Sequence, residues 1–276
     1  MMQALKRFKC LSGWNPLSCT SSVFRLLPNV KKLQICGIPE DYIRKVKVFH
    51  DLCCLDQLME LKFKIRKMLG SAVYIISFAL PPPGAFPKNL KKLAFRGTRL
   101  HWEDLEILGK LPKLEALKLG YDACIGTDWE VGEEGFPHLK FLRSICTCIT
   151  GELVVISLER LVINHCWSMY WIPQDFVDIT TFQLIHISDC AKSVGNSAKK
   201  IQQEIEDNYG SSVEVCISTF PKNLKKLAFT GTRLHWEDLG ILGELPKLEA
   251  LKLGYDACTG TDWEVGEEGF PHLKFL

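Results

Sequence analysis

Cysteine is the residue whose abundance most strongly suggests chemistry in this chain, with twelve in 276 residues. Cys53-Cys54 and Cys146-x-Cys148 could contribute metal ligands, but neither has a second pair at the fixed spacing of a structural zinc site. The chain has no CxxC motif and is too long to be a small disulfide-stapled domain. We therefore expect buried, reduced thiols, without a metal or a cofactor.

A second group of titratable side chains is His101-Trp102-Glu103-Asp104. Adjacent helical positions do not face each other, so this run does not predict a paired acid and base. The sequence also has no nucleophile motif, no GxxxxGK[ST] phosphate loop and no zinc signature. We predict that the chain is not an enzyme, with no catalytic, cofactor-binding or metal-binding residue.

Charge is nearly balanced, with 34 basic and 32 acidic residues and a formal net charge of +2. This balance does not favour nucleic-acid or membrane-surface binding. The acidic run Ile125–Pro137 leaves two interpretations open, a contact surface for a basic partner or a solvated loop. The sequence shows no signal peptide, no membrane-length apolar run and no N-x-[ST] acceptor, so we expect a cytoplasmic protein without a membrane span.

The elements that carry these residues are repeats. A block of 57 residues, Phe86 to Leu142, recurs as Phe220 to Leu276 with four changes. A shorter leucine-rich frame, Leu-x-x-Leu-x-apolar, recurs within and outside the block, mostly every 24 or 25 residues, which is the period of leucine-rich repeats. The frames begin at Val30, Leu58, Leu90, Leu114, Leu158, Phe182, Leu224 and Leu248.

The spacing has a physical reason. A Leu-x-Leu pair points both side chains to one face of a strand, and stacked repeats bury that face together. Cys166 and Cys190 occupy the Asn/Cys position of the pattern, where the chain turns away from the strand. We predict an α/β fold, a leucine-rich-repeat solenoid or horseshoe, with parallel strands on the concave face and short helices and loops outside.

Three regions follow from the pattern. Residues 1–26 form a poorly patterned N-terminal segment, and 27–218 form the solenoid, with a cap-like helix and strand at 193–217. Residues 219–276 form a partial duplicate of 86–142, which we expect to have an exposed apolar edge and to dock poorly. Further predicted elements are helices over Thr98–Leu108 and Ser197–Asp207, and strands over Ile145–Ile149, on a shifted frame, and Val213–Ile217.

Several segments resemble the C-terminal repeats of plant intracellular immune receptors of the nightshade late-blight resistance class. The segments that carry this resemblance are LPKLEALKL from Leu111, FPHLKFL from Phe136, LERLVINHC from Leu158, Ile172-Pro173 and SVGNSAKKIQ from Ser193. In that class, a coiled coil and a nucleotide-binding domain precede the repeats. This chain departs from the class because it lacks the phosphate loop and continues past residue 217 with a second copy.

The resemblance implies a protein-recognition module in plant defence, including the hypersensitive response. Its partners would be a pathogen effector, a guarded host protein or the nucleotide-binding domain of a full receptor. The alternatives are a substrate adaptor of a ubiquitin ligase and a non-functional truncated relic. Binding residues are expected on the concave face, at positions between the leucines: Lys91, Lys92, Ala94, Glu115, Lys118, Glu159, Arg160, Gln183 and His186.

Overall fold

In the computed structural model, the chain forms one nine-stranded parallel sheet and three two-stranded sheets. The residues that the structure describes are 7–43, 52–66, 80–125, 135–145, 155–166, 169–218, 220, 223–229, 234–235, 239, 242, 245–254, 257–259, 270 and 272–274. Residues 126–134 of the acidic run Ile125–Pro137 and residues 146–149 of the predicted shifted strand lie outside these ranges.

The nine-stranded sheet takes one strand from each repeat, and neighbours in the chain are neighbours in the sheet. Its strands, in spatial order, are β1 Cys10–Trp14, β2 Lys32–Gly37, β3 Glu60–Ile65, β4 Lys92–Arg96, β6 Ala116–Leu119, β8 Phe141–Ile145, β9 Arg160–Asn164, β10 Leu184–Ser188 and β11 Glu214–Ser218. This order confirms the predicted α/β leucine-rich-repeat solenoid.

In-register pairing places equivalent leucines of successive repeats side by side. Leu61 pairs with Leu93, Leu93 with Leu117, and Leu142 with Leu161. These side chains are almost fully buried and belong to one continuous hydrophobic cluster. Each repeat therefore buries its apolar face against the next repeat, which is how a solenoid stabilises units that cannot fold alone.

The side of the repeats away from the sheet carries short elements. Strand β5 (Leu100–His101) pairs with β7 (Cys124–Ile125). A 3-10 turn at Trp102–Asp104 then leads into an α-helix at Leu105–Gly109. Helical structure in the predicted segment Thr98–Leu108 therefore begins only at Trp102, because Leu100 and His101 form a strand that pairs with the next repeat.

The sheet begins earlier in the chain than the leucine pattern indicates. Within residues 1–26, Cys10–Trp14 pairs with β2, and Phe24 is fully buried in a short helix, α1 (Ser21–Phe24). The register shifts between Leu11 and Trp14, which lie beside Leu33 and Ile35. This irregularity lengthens the apolar spacing from two residues to three, so the strand lacks the leucine frame that identifies its neighbours.

A helix covers the apolar side of the last repeats. It spans Lys192–Tyr209 and starts five residues before the predicted Ser197. Gly210, in the left-handed conformation at φ 62°, ends it after Tyr209, two residues beyond the predicted Asp207. The buried stripe Val194, Ala198, Ile201 and Ile205 joins the solenoid core, and β11 follows at the edge of the sheet.

The second copy forms a sheet of its own, in which β12 (Lys226–Phe229) pairs with β14 (Ala250–Leu253). Two further strands, β13 (Leu234–His235) and β15 (Cys258–Thr259), pair with each other. Leu93 is 1% exposed in the first copy, whereas its counterpart Leu227 is only partly buried. Among the described residues, the second copy therefore buries its apolar positions less completely than the first copy does.

Candidate protein-binding face

The side chains between the core leucines form a surface that we name the open face. It consists of the residues of β2 to β10 that alternate with the buried ones, and parallel pairing aligns them in rows across the strands. The first row is Lys32, Glu60, Lys92, Ala116, Phe141, Arg160 and Leu184. The second row is Gln34, Lys62, Ala94, Lys118, Arg143, Val162 and His186.

The structure places five of the nine predicted binding residues on the open face. Lys92 and Arg160 lie in the first row, and Ala94, Lys118 and His186 lie in the second. Lys92, Lys118 and Arg160 are exposed, and His186 is half-buried. These side chains are therefore positioned to meet a molecule that lies across the strands.

The other four predicted residues, Lys91, Glu115, Glu159 and Gln183, lie immediately before their strands. Backbone hydrogen bonds link these positions from repeat to repeat. The N–H groups of Glu115 and Ala116 both donate to the carbonyl oxygen of Lys91, at 2.8 and 3.0 Å. In a regular parallel sheet each carbonyl oxygen accepts from one N–H group. The position of Lys91 and Glu115 departs from this pattern, and it lies at the edge of the open face.

Charged residues alternate along this edge, and we name Lys91, Glu115, Lys140 and Glu159 the entrance row. The Lys91 ammonium donates to the Glu115 carboxylate at 2.6 Å, and Lys140 donates to Glu159 at 2.8 Å. The hydrogen bond from Lys140 to Glu159 raises the pKa of Lys140. The entrance row therefore satisfies its charges within the molecule.

An acidic side chain also lies within the first row of the open face. Glu60 accepts ion pairs from Lys32 at 3.0 Å and from Lys92 at 3.6 Å, across the two neighbouring strands. Burial opposes ionisation of this carboxyl, but the two lysines outweigh it, and the pKa of Glu60 is lowered. Lys92, one of the predicted binding residues, is thus partly engaged within the protein.

The structure adds cations that the prediction omitted: Lys62, Lys64, Arg96 and Arg143 all lie on the open face. Lys62 stands between Leu61 and Phe63, so the leucine frame could have identified it. Arg143 stands between Leu142 and Ser144, and Ser144 fills an apolar position of the frame although it is polar. Ser144 is nonetheless fully buried beside Leu119 and Ile163, so the register of this repeat is regular.

Lys118 shows the charge environment of the open face. Burial lowers the pKa of its ammonium, and the nearby cations Lys62, Arg143 and Lys92 lower it further. Its Nζ also lies 5.4 Å from the centre of the Phe141 ring. The arrangement therefore concentrates positive charge around Lys118.

The cysteines at the turn positions have structural contacts. The Cys166 N–H donates to the Cys190 sulfur at 3.4 Å, and each cysteine follows a residue with positive φ, His165 or Asp189. None of the ten cysteines within the described residues is in a disulfide bond. No group of three or more potential metal ligands occurs among the residues that the structure covers, and Cys146 and Cys148 lie outside that coverage.

The His101–Asp104 run is divided between surface and core. His101 is exposed, whereas Trp102 is 4% exposed and packs in the hydrophobic cluster. Burial raises the pKa of Asp104, although a hydrogen bond from the His101 backbone opposes this effect. The buried Trp102 therefore anchors this run to the hydrophobic core, and the run lies outside the strands that form the open face.

No helix in the described part of the chain is long and apolar enough to cross a membrane.

The curated relatives of this chain are resistance proteins. It is 30% identical over 205 residues to the putative late blight resistance protein homolog R1B-12 of Solanum demissum, covering 71% of this chain and 14% of the relative. It is 33% identical over 203 residues to homolog R1B-13 of the same plant, covering 71% of this chain and 17% of the relative. The chain thus spans about a sixth of the length of these relatives, and the resemblance predicted from the sequence is confirmed.

Similar solved structures include the plant peptide hormone receptor RGFR1 in complex with RGF2, at 13% identity and a TM-score of 0.43, covering 98% of this chain and 45% of the receptor. They also include the TLR13–ssRNA13 complex, at 13% identity and a TM-score of 0.48, covering 92% of this chain and 41% of that protein. No family model matches the chain.

Proposed function

We propose, from the relation of this chain to the late blight resistance protein homologs, that it is a protein-recognition module in plant defence. The open face carries this proposal, because polar side chains from successive repeats lie side by side on it. A sheet that displays side chains at fixed positions suits protein binding, because little conformational entropy is lost when the partner associates. Recognition rather than catalysis is its proposed activity.

The proposed partners are proteins: a pathogen effector, a guarded host protein or the nucleotide-binding portion of a full receptor. The proposed compartment is the cytoplasm, where receptors of this class are expected to act. We propose that Lys92, Lys118, Arg160 and His186 contact the partner from the open face. Lys91, Glu115, Glu159 and Gln183 would contribute from its edge, where the entrance-row pairs must open or be bridged by the partner.

A co-purification experiment tests this function. The full chain, carrying an affinity tag, is co-expressed in leaves with the nucleotide-binding portion of a late blight resistance homolog. We expect the two proteins to co-purify, and we expect the chain to change the cell death that the homolog triggers. The matched control is the same chain with Lys118→Glu and Arg160→Glu, two exposed residues whose replacement leaves the core intact.

Two results would overturn the proposal. One is a folded chain that neither co-purifies with the receptor portion nor changes cell death. The other is full activity of the Lys118→Glu, Arg160→Glu variant, which would remove the open face from the interaction. Association with the scaffold of a ubiquitin ligase, in place of the receptor portion, would instead favour the adaptor function.

A further inference from the structure

Charge on the open face is strongly one-sided. Between β2 and β9, every strand of the large sheet is described, and the outward-facing positions carry eight cations and one carboxylate, Glu60. The cations are Lys32, Lys62, Lys64, Lys92, Arg96, Lys118, Arg143 and Arg160. This concentration is local, because the chain as a whole has a net charge of only +2.

Within the described part of the chain, most of these cations have no acidic partner. Lys32 and Lys92 both form ion pairs with Glu60. Among the described residues, no carboxylate lies within ion-pair distance of Lys62, Lys64, Arg96, Lys118 or Arg160. The Arg143 guanidinium donates to the Asn164 side-chain oxygen at 3.2 Å, which is a neutral acceptor. Unbalanced positive charge therefore lies on a rigid surface.

The basic area ends within the sheet. The outward-facing residues of β10 and β11 are Leu184, His186, Ser188, Glu214, Cys216 and Ser218, without a lysine or an arginine. On the side where the strands begin, the entrance row alternates in sign and pairs internally. The basic area is therefore bordered by β10, which has no lysine or arginine at its outward-facing positions, and by the internally paired charges of the entrance row.

We propose that this basic area, centred on Lys118, binds an acidic, extended segment of a partner protein. Neighbouring strands lie about 4.8 Å apart, and an extended peptide advances about 3.3 Å per residue. A segment crossing the strands can therefore place an acidic side chain near a cation at every second or third residue. Carboxylates there would offset the repulsion that Lys118 experiences from Lys62 and Arg143, which help to lower the pKa of its ammonium.

A protein segment fits this surface better than a nucleic acid does. Single-stranded nucleic acids bind through aromatic side chains on which bases stack. Phe141 is the one aromatic residue among the outward-facing positions of β2 to β9, and Lys118 lies over its ring. Glu60 within the area, and Glu115 and Glu159 at its edge, would also repel a uniformly charged phosphate backbone.

The duplicated block supplies a matched control. Lys118 and Lys252 occupy the same position of the two copies, and both are exposed. Lys118 lies between Ala94 on β4 and Arg143 on β8, within the large sheet, whereas Lys252 pairs with Ala228 in a two-stranded sheet. Reversing either charge changes the net charge of the chain equally, but only Lys118 belongs to the basic area.

The test uses the full chain and a fluorescent peptide of alternating glutamate and serine, with binding followed by anisotropy at low and high salt. We expect Lys118→Glu to weaken peptide binding about tenfold and Lys252→Glu to change it less than about twofold. Lys62→Glu, an exposed substitution, should weaken binding as Lys118→Glu does. Circular dichroism confirms that each variant is folded.

Three outcomes would overturn this inference: no binding of the acidic peptide, equal losses from Lys118→Glu and Lys252→Glu, or tighter binding of a single-stranded DNA of equal charge. The inference rests on the proposed function but fails separately from it. If the peptide does not bind while the receptor portion still co-purifies, only the acidic-segment inference is wrong. If neither binds, the proposed recognition function is wrong as well.

Discussion

The ammonium of Lys91 lies 2.6 Å from the carboxylate of Glu115, one repeat away, although both residues are candidate partner contacts. Their side chains are 38% and 37% exposed, so water screens the pair. The equivalent lysine and glutamate of the second copy, Lys225 and Glu249, also pair, at 3.5 Å. The same repeat sequence thus creates the same lateral ion pair twice.

The Lys91–Glu115 pair should contribute little to folding stability. We expect Glu115→Gln to lower the free energy of unfolding by less than about 1 kcal/mol, because exposed ion pairs gain little over their hydrated charges. Urea denaturation followed by circular dichroism measures this change. The matched variant Glu249→Gln should have a similarly small effect, and a loss above about 2 kcal/mol for Glu115→Gln would contradict this account.

The pairs of Glu60 should make stability depend on pH in the acidic range. Its folded-state pKa is lowered, so its contribution is present above the unfolded value of about 4.3 and is lost as pH falls through the folded value. We expect Glu60→Gln to be less stable than the parent at neutral pH, with the difference closing on acidification. Urea midpoints at neutral pH and below about pH 4 test this.

The control for this pH series is Glu206→Gln, an exposed residue of the long helix at Lys192–Tyr209. That substitution should leave a small stability difference at both pH values, as most exposed substitutions do. A difference between Glu60→Gln and the parent that grows as the pH falls would show that the lysine pairs do not stabilise the ionised carboxylate.

Gly97 should not tolerate a side chain. Its φ is +71°, and a Cβ atom there would lie 2.6 Å from the carbonyl oxygen of Ile65 in the preceding repeat. We expect Gly97→Ala to cost roughly 2 kcal/mol or more, from backbone strain and the clash together. Thermal unfolding measures the loss. Gly84→Ala is the control, because no heavy atom lies within 4 Å of the added Cβ, and equal effects of the two variants would refute this reason.

The second copy should reduce the solubility of the chain. Phe220, Leu224, Leu227 and Leu253 are only partly buried, whereas their counterparts in the first copy are 2% exposed or less. We expect removal of residues 219–276 to raise the soluble yield, because it removes this partly covered apolar surface. Yields of the two forms, expressed in parallel, test this. An unchanged or lower yield would show that the second copy protects the solenoid.

The leucine frame predicted the core because each apolar position recurs at the repeat period, and this period places Leu93 beside Leu117. It missed β1, where an irregular register separates Leu11 and Trp14 by one additional residue. It placed the start of the Thr98–Leu108 helix too early, because the buried Thr98 hydroxyl donates to the Ala123 carbonyl oxygen, in the next repeat. Such contacts depend on stacking and have no signal in local sequence.

The leucine frame also predicts part of the candidate face, because outward-facing residues alternate with the buried apolar ones. Lys118 and His186 follow from alternation between apolar residues, whereas Arg143 was hidden by the buried serine at position 144. Pairing of Lys91 with Glu115 could not be read from composition, because the two residues are 24 positions apart and meet only when repeats stack. The one-sided charge of the open face emerges only when all strands are aligned in register.

Recognition through the open face is tested most directly by the cell-death response of leaves that co-express a late blight resistance homolog with the full chain, Lys118→Glu or Lys252→Glu. We expect the parent chain and Lys252→Glu to alter the response equally, whereas Lys118→Glu loses the effect because the open face no longer binds its partner. Equal responses for all three proteins, each present at the same level, would contradict recognition through the open face.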